Sequence, residues 1–228
     1  MIEMMLTGIP KAVGSPVGQQ DYITAGAFKW VCPEDVFTVC VAMVGGGQSG
    51  SSPRAANMRG GQGGGVRWLN AIPVVPGTSY DIVVGSGGVD TTVTYNLTIT
   101  ASGGGSSSAF GVTAGLGATG TTIAGAVGGQ NGCRQGASNS AVNTTTQGGD
   151  SGSYVLSAPN KYDSVPAMGL TLATGSMLTG GAGAGGSARA PMVDNGGYPK
   201  TTYRGYDGAV RIIWGANRAF PNKNIGNK

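Results

Sequence analysis

Glycine fills 45 of the 228 positions, about three times its ~7% share in ordinary proteins, and it comes in bursts. Gly45–Gly47, Gly60–Gly65, Gly103–Gly105, Gly128–Gly129, Gly180–Gly186 and Gly196–Gly197 alternate with β-branched runs such as Val36–Val44. Glycine costs more backbone entropy to order than any other residue and brings no side chain to bury. A chain that keeps so much of it leaves those segments as flexible linkers or packs backbone directly on backbone. The packed form expected here is a polyglycine II-type helix, extended and threefold, with dihedrals near those of polyproline II. Its N–H and C=O groups all point outward, so helices laid side by side satisfy one another. A Cβ at the contact would push them apart. Such a lattice would hold its connecting loops in place, and loops on a rigid scaffold are where binding residues concentrate.

Only 11% of the residues are charged and 39% are hydrophobic, which is not the low-hydrophobicity, high-charge signature of disorder. The net charge is +4, and the arginines are scattered with no basic face of interleaved aromatics, so nucleic acid is not an expected partner. Cys32, Cys40 and Cys133 form no Cys-x-x-Cys pair and there is no histidine, so no metal site is expected. The cysteines read as buried small hydrophobes of a reducing compartment, with a Cys32–Cys40 bridge across a short turn as the alternative. Residues 1–6 hold an early acid and no basic flank, unlike a secretory signal. No run approaches the ~18 apolar residues of a membrane span. The expectation is a soluble chain made without classical export, in which the sequons at Asn96 and Asn143 are chance matches.

No fixed repeat period emerges, and the glycines keep no Gly-X-Y phase, which excludes a collagen helix. Residues 1–27 read as an extended arm whose Met1, Ile2, Met4, Met5 and Leu6 dock on a partner or fold back onto the body. From Phe28 the pattern is β. Phe28–Cys32 alternates, Pro33-Glu34-Asp35 turns, and Val36–Val44, Val66–Ile72 and Thr78–Val84 read as strands. Thr91–Thr100 has the cleanest period of two, and Tyr206–Trp214 is a strong last strand. Shorter strands are expected near Ala109–Val112, Thr121–Ala124, Tyr154–Leu156 and Gly169–Ala173. Residues 28–214 are then one glycine-rich all-β domain and 215–228 a polar tail. Trp30, Trp68 and Trp214 lie in strand-like runs and are expected in the core.

The run Phe28–Gly47, an aromatic-Val-Pro strand, a turn and a strand entering glycine, resembles the opening of glycine-rich domains in bacteriophage tail-fibre and receptor-binding adhesin proteins. Gly63–Gly65, Val74–Gly88, Ser106–Gly111, Gly180–Gly186 and Gly208–Trp214 follow in the family's order, and Arg211–Pro221 is similar to the ends of phage fibre proteins. The resemblance spans about residues 28–221; residues 1–25 match no attachment module. It implies a jelly-roll-like β-sandwich joined to bundled glycine helices, and a virion protein of the tail assembled in the host cytoplasm. The implied partners are other tail proteins and a host surface glycan or outer-membrane protein, with no membrane insertion. A homotrimer, or a cap on a trimeric fibre, is the implied assembly. In that setting Met1, Ile2, Met4, Met5 and Leu6 are the virion-docking candidates.

Catalysis needs positioned acids, bases, nucleophiles or metals. Without histidine there is no Ser-His or Cys-His pair. Glu34-Asp35 after Pro33 reads as a solvated turn, not as an acid/base pair. No Gly-x-Gly-x-x-Gly precedes a helix, and no Gly-Lys-Ser/Thr is present. No enzyme activity and no cofactor are expected. Recognition is the better fit, because Tyr, Asn and Ser on loops make adaptable contacts. Tyr154, Tyr162 and Met168 on one stretch, with Tyr198, Tyr203 and Arg204 on another, are the receptor-binding candidates. The alternative is that these tyrosines pack on their own sheet. A structural virion component without host contact, or a non-viral glycine-rich matrix protein, are the competing functions.

Overall fold

The structure is a computed structural model that describes residues 16–54, 57–59, 61, 63–93, 100, 102–115, 129–130, 138–139, 145–146, 164–165, 170–171, 188–189, 200–202 and 204–220. Among the described residues the chain forms strands and no helix. These are β1 (Gly18–Tyr22), β2 (Gly26–Val31), β3 (Thr38–Val44), β4 (Ser51–Arg54), β5 (Asn57–Arg59), β6 (Val66–Pro73), β7 (Ser79–Val84), β8 (Thr91–Val93) and β9 (Ser107–Ala109). They continue with β10 (Val112–Ala114), β11 (Gly129–Gln130), β12 (Ser138–Asn139), β13 (Thr145–Thr146), β14 (Ser164–Val165), β15 (Leu170–Thr171), β16 (Ala188–Arg189), β17 (Lys200–Thr202) and β18 (Ala209–Trp214).

Two antiparallel sheets make a sandwich-like body. One runs β1-β18-β3-β6-β11 and the other β10-β9-β7-β2. Trp30, Val39, Val41, Met43, Ile82, Val84, Val210 and Ile212 fill the space between them. Short sheets β12-β5-β4, β13-β16-β17-β8 and β14-β15 accompany the body. The strand β3 explains why Val39–Val44 shows no polar alternation: it lies inside its sheet and both faces are covered. Val39, Val41 and Met43 face the second sheet, while Cys40, Ala42 and Val44 face a second cluster with Val66, Ala209, Ile213 and Phe220. In β18 the same alternation sends Arg211 to the second face, where it is 1% exposed. It survives there because Asp21 of β1 accepts two bonds, from Nε at 2.6 Å and from Nη2 at 2.7 Å. A forked pair of this kind satisfies a guanidinium that burial would otherwise destabilise.

Turn chemistry sets one end of the sandwich. Val36 N–H closes a turn on Pro33 C=O at 3.3 Å, with Asp35 at φ 63°, so Glu34-Asp35 is the turn expected from sequence. Pro76-Gly77 places the proline second and a glycine at φ 73° third, the requirement of a type II turn. Phe110 (φ 48°) and Gly111 (φ 75°) join β9 to β10 in a two-residue hairpin of the I′ kind. Phe110 stacks edge-on to Trp30 at 5.8 Å, and Trp214 lies 5.8 Å from the same ring. Trp30 is buried as expected, while Trp68 and Trp214 are half-buried against the two clusters.

Three expectations change. Part of the segment expected as an arm is β1, paired with β18 from Gly18↔Trp214 to Tyr22↔Val210, so the packed body begins before position 28. It also runs past 214. Asn70 holds Phe220 through both amide groups, at 2.8 and 2.9 Å, and Phe220 is buried. The Cys32–Cys40 bridge does not form: both thiols are free, and the turn delivers them to opposite faces of the sheet. Cys32 Sγ donates to Val36 C=O at 3.2 Å and Cys40 Sγ to Arg218 C=O at 3.5 Å. Burial pushes both thiols above their ordinary pKa.

Candidate functional site

The end opposite the turns is built from glycine. Here Val44, Val66, Val84, Ala114 and Ala209 close the sandwich, and the chain beyond each continues as glycine-rich backbone outside the named strands, with Gln48 and Gly103 meeting in an isolated antiparallel bridge. These segments bond across to one another. Gly45 N–H donates to Gly65 C=O (3.1 Å), Gly46 to Gly105 (2.8 Å), Gly47 to Tyr206 (2.9 Å), and Gly88 to Gly47 (2.9 Å). Gly65 donates to Gly115 (2.8 Å), Gly105 to Ser86 (2.9 Å), and Gly208 to Gly85 (2.8 Å). Such groups would be orphans in a hydrophobic interior, so the cross-bonding is what permits Gly45–Gly47, Gly65, Gly85, Gly88 and Gly208 to be buried.

The spacing depends on the missing side chain. A Cβ on Gly46, Gly61, Gly64, Gly85 or Gly205 would lie closer than 3.0 Å to a backbone carbonyl oxygen of a neighbouring segment. Backbone cannot swing aside as a flexible side chain can. Short polar side chains supply the remaining bonds. Ser107 Oγ donates to Val44 C=O at 2.7 Å and accepts from Gly85 N–H at 2.9 Å. Ser49 N–H donates to Ser102 C=O at 2.8 Å, while Ser102 N–H donates back to Ser49 Oγ at 3.0 Å. Asp207 takes Gly87 N–H on Oδ1 (2.8 Å) and Ala25 N–H on Oδ2 (3.1 Å), which ties the β1–β2 corner to the glycine end.

The segments leave this end into the long insertions. Val89 and Asp90 precede β8, and Arg204 follows β17, which pairs with β8 at Thr202↔Thr91. Of the receptor-binding candidates, Arg204 is described. It is exposed, its N–H bonds Asp90 Oδ1 at 2.6 Å, and its guanidinium stacks 5.4 Å over the Tyr206 ring. Tyr154, Tyr162, Met168, Tyr198 and Tyr203 lie outside the described residues, as do Met1, Ile2, Met4, Met5 and Leu6. Sequence reasoning missed Asp90 and Asp207 as backbone acceptors; the available signal was a scarce acid close to glycine in a chain with 10 acids, Asp90 two residues after Gly88 and Asp207 next to Gly208. Among the described residues no three metal-ligating side chains converge, and no helix is long and apolar enough to cross a membrane.

An all-β sandwich closed at one end by hydrogen-bonded glycine segments defines a class of scaffold, one that fixes backbone positions without side-chain packing. The glycine-rich domain family matches residues 23–227, and the chain belongs to it. No curated protein matches the chain.

Proposed function

We propose that this chain is a phage tail-fibre or tail-tip protein that recognises the host-cell surface through loops held on its glycine-packed end. The observation that carries the reading is the polarity of the body. Gly18 pairs with Trp214 at the turn end, while the insertions depart from residues 90, 115 and 204 at the opposite, backbone-bonded end. One end is thereby free to anchor and the other to present its loops on a stiff support. The glycine segments are read as polyglycine II-type helices and the sandwich as jelly-roll-like. Negative φ supports the first: among the described glycines of these segments, only Gly103 and Gly104 have positive φ. The resemblance to phage fibre domains supplies the biological setting, including tail partners, a glycan or outer-membrane protein as receptor, and a threefold assembly.

Purified chain is expected to bind host cells and to compete with virions for adsorption. Deleting residues 154–168 is expected to abolish that competition while particles still assemble. Saturating protein that leaves adsorption unchanged would sink the reading. A structural tail part without host contact is the second reading. Val31, Phe37 and Val75 favour it, since these 59–62% exposed apolar side chains lie at the turn end and suit docking on another protein. In that case the same deletion would leave adsorption intact or block assembly.

A further inference from the structure

A cleft of about 410 Å³ opens on the outer face of the five-stranded sheet, within the ~300–1,000 Å³ range of pockets that hold a bound group. Two features create it. In β6 an extra residue opposite Cys40 makes a bulge, with Ala71 at φ 56°. Asn70 in the bulge then holds Phe220 by its backbone, so the hook from Gly215 to Phe220 arches over the space. The walls are mainly apolar, from Phe37, Cys40, Ala71, Ile213, Ala216 and Ala219. Arg218 also reaches the cleft, but its guanidinium donates to Gly18 C=O and, at 3.2 Å, to Gln19 Oε1. It therefore fastens the hook to the start of β1.

That fastening puts the entry of the chain on the cleft's rim. A Cβ on Gly215, a lining residue, would meet Val17 Cα at 2.8 Å and Pro16 C=O at 3.1 Å. Residues 1–15 thus join the body beside an apolar cleft. Residues 1–6 (Met-Ile-Glu-Met-Met-Leu) hold five apolar side chains, three of them methionines, which fill irregular gaps well. The ten-residue span from Leu6 to Pro16 reaches up to roughly 35 Å, enough to double back over the hook. Residues 221–228 start at the same end but offer a single aliphatic side chain, Ile225, among Asn and Lys.

We propose that residues 1–6 occupy this cleft on their own chain, burying their methionine, isoleucine and leucine side chains against Cys40, Ile213 and Phe37. The inference stands apart from host recognition, since it concerns the opposite end of the body and any protein partner of residues 1–6 would compete with the cleft.

Cys40 lines the cleft and reports its occupancy. The full chain and its Ile2→Ser/Met5→Ser/Leu6→Ser variant are treated with iodoacetamide, and labelling at each cysteine is followed by peptide mass spectrometry. Cys40 is expected to react at least about fivefold faster in the variant, as for loss of a local protecting contact. Cys32, in the inter-sheet core, keeps its rate and controls for global loosening. Equal Cys40 rates overturn the proposal. A Met5→Cys variant provides a second readout: mild oxidation is expected to join position 5 to Cys40 within one chain, and its absence also overturns it. Protection that fades on dilution, with links between copies, assigns the cleft to a neighbour's segment and overturns the intramolecular form.

Discussion

The space between the sheets and the inner glycines of the packed end, such as Gly45–Gly47 and Gly63–Gly65, are both buried, yet they are held by opposite means. Between the sheets, Met43, Ile82 and Ile212 exclude water with large side chains, and the backbone is satisfied by strand ladders. At the glycine end there are almost no side chains to bury, and carbonyls of one segment meet amides of the next. Side-chain packing is adjustable, because rotamers and neighbours can shift to absorb a changed volume. Backbone packing is not, because the contact distance is set by hydrogen bonds on both sides. The same fold therefore contains one region tolerant of sequence change and one where a methyl group is too large.

The largest expected effect tests that contrast at single glycines. Gly64→Ala would push a Cβ against the Gly45 carbonyl, with backbone on both sides. It is expected to cost at least about 3 kcal/mol, above the usual ~1–3 kcal/mol of core overpacking, or to prevent folding. Gly77→Ala is the control. Gly77 has φ 73° and open space where a Cβ would go, so only the left-handed backbone is penalised, at ~1–2 kcal/mol. Urea unfolding of the two variants separates contact from conformation. Equal costs would break the claim that close approach, and not glycine's dihedral freedom, governs this end.

A middle-sized effect concerns the charge buried beside the sandwich. Asp21→Asn leaves the Arg211 guanidinium buried without its carboxylate. Such breaks cost ~3–5 kcal/mol when both partners are buried, and Asp21 is 28% exposed, so a loss of about 2 kcal/mol is expected. Replacing both residues, Asp21→Asn with Arg211→Met, is expected to recover most of it. No recovery in urea unfolding would mean that the pair stabilises the sheet beyond satisfying its own charges. Ile82→Val sits lower still, at ~1 kcal/mol, as a core trimming by one methylene should.

What the sequence disclosed follows the same division. Strand pattern and turn chemistry were readable: Phe28–Val31, Val39–Val44, Val66–Ile72 and Ala209–Trp214 lie in strands, and Glu34-Asp35 and Pro76-Gly77 turn. Those signals are local. Gly18–Tyr22 was missed because Gly-Gln-Gln-Asp-Tyr has no apolar alternation; it is an edge strand recruited by Trp214 through Ile212 and by the Arg211–Asp21 fork. Phe220 reads as part of a tail because nothing local shows that Asn70, 150 positions earlier, captures its backbone. The glycine end was legible as a demand for close packing, but which segment meets which depends on contacts far apart in the chain. Arg204 was found as a site candidate by its neighbours in sequence, whereas its partner Asp90 lies 114 positions away.

The smallest expected effect is a pH dependence that reads the two cluster environments through their thiols. Burial raises the pKa of Cys32 and Cys40 above the ordinary value of 9.0, and for Cys40 the Ala71 backbone bond and the Arg218 charge partly offset that rise. Below about pH 9 both states of the chain keep their thiols protonated, so the contribution is constant. Above it the unfolded chain releases protons that the folded chain retains, so stability falls as pH rises toward the folded-state values. Cys32→Ala and Cys40→Ala are each expected to remove part of this slope above about pH 9, since desolvation is the main cause of both shifts, while only Cys40 has a cation and a backbone donor favouring its thiolate. The measurement is urea midpoint against pH for the two variants under reducing conditions. A greater loss of slope in Cys40→Ala would show that desolvation under the hook outweighs the Arg218 cation and the Ala71 donor, and an unchanged slope in both variants would overturn burial as the cause.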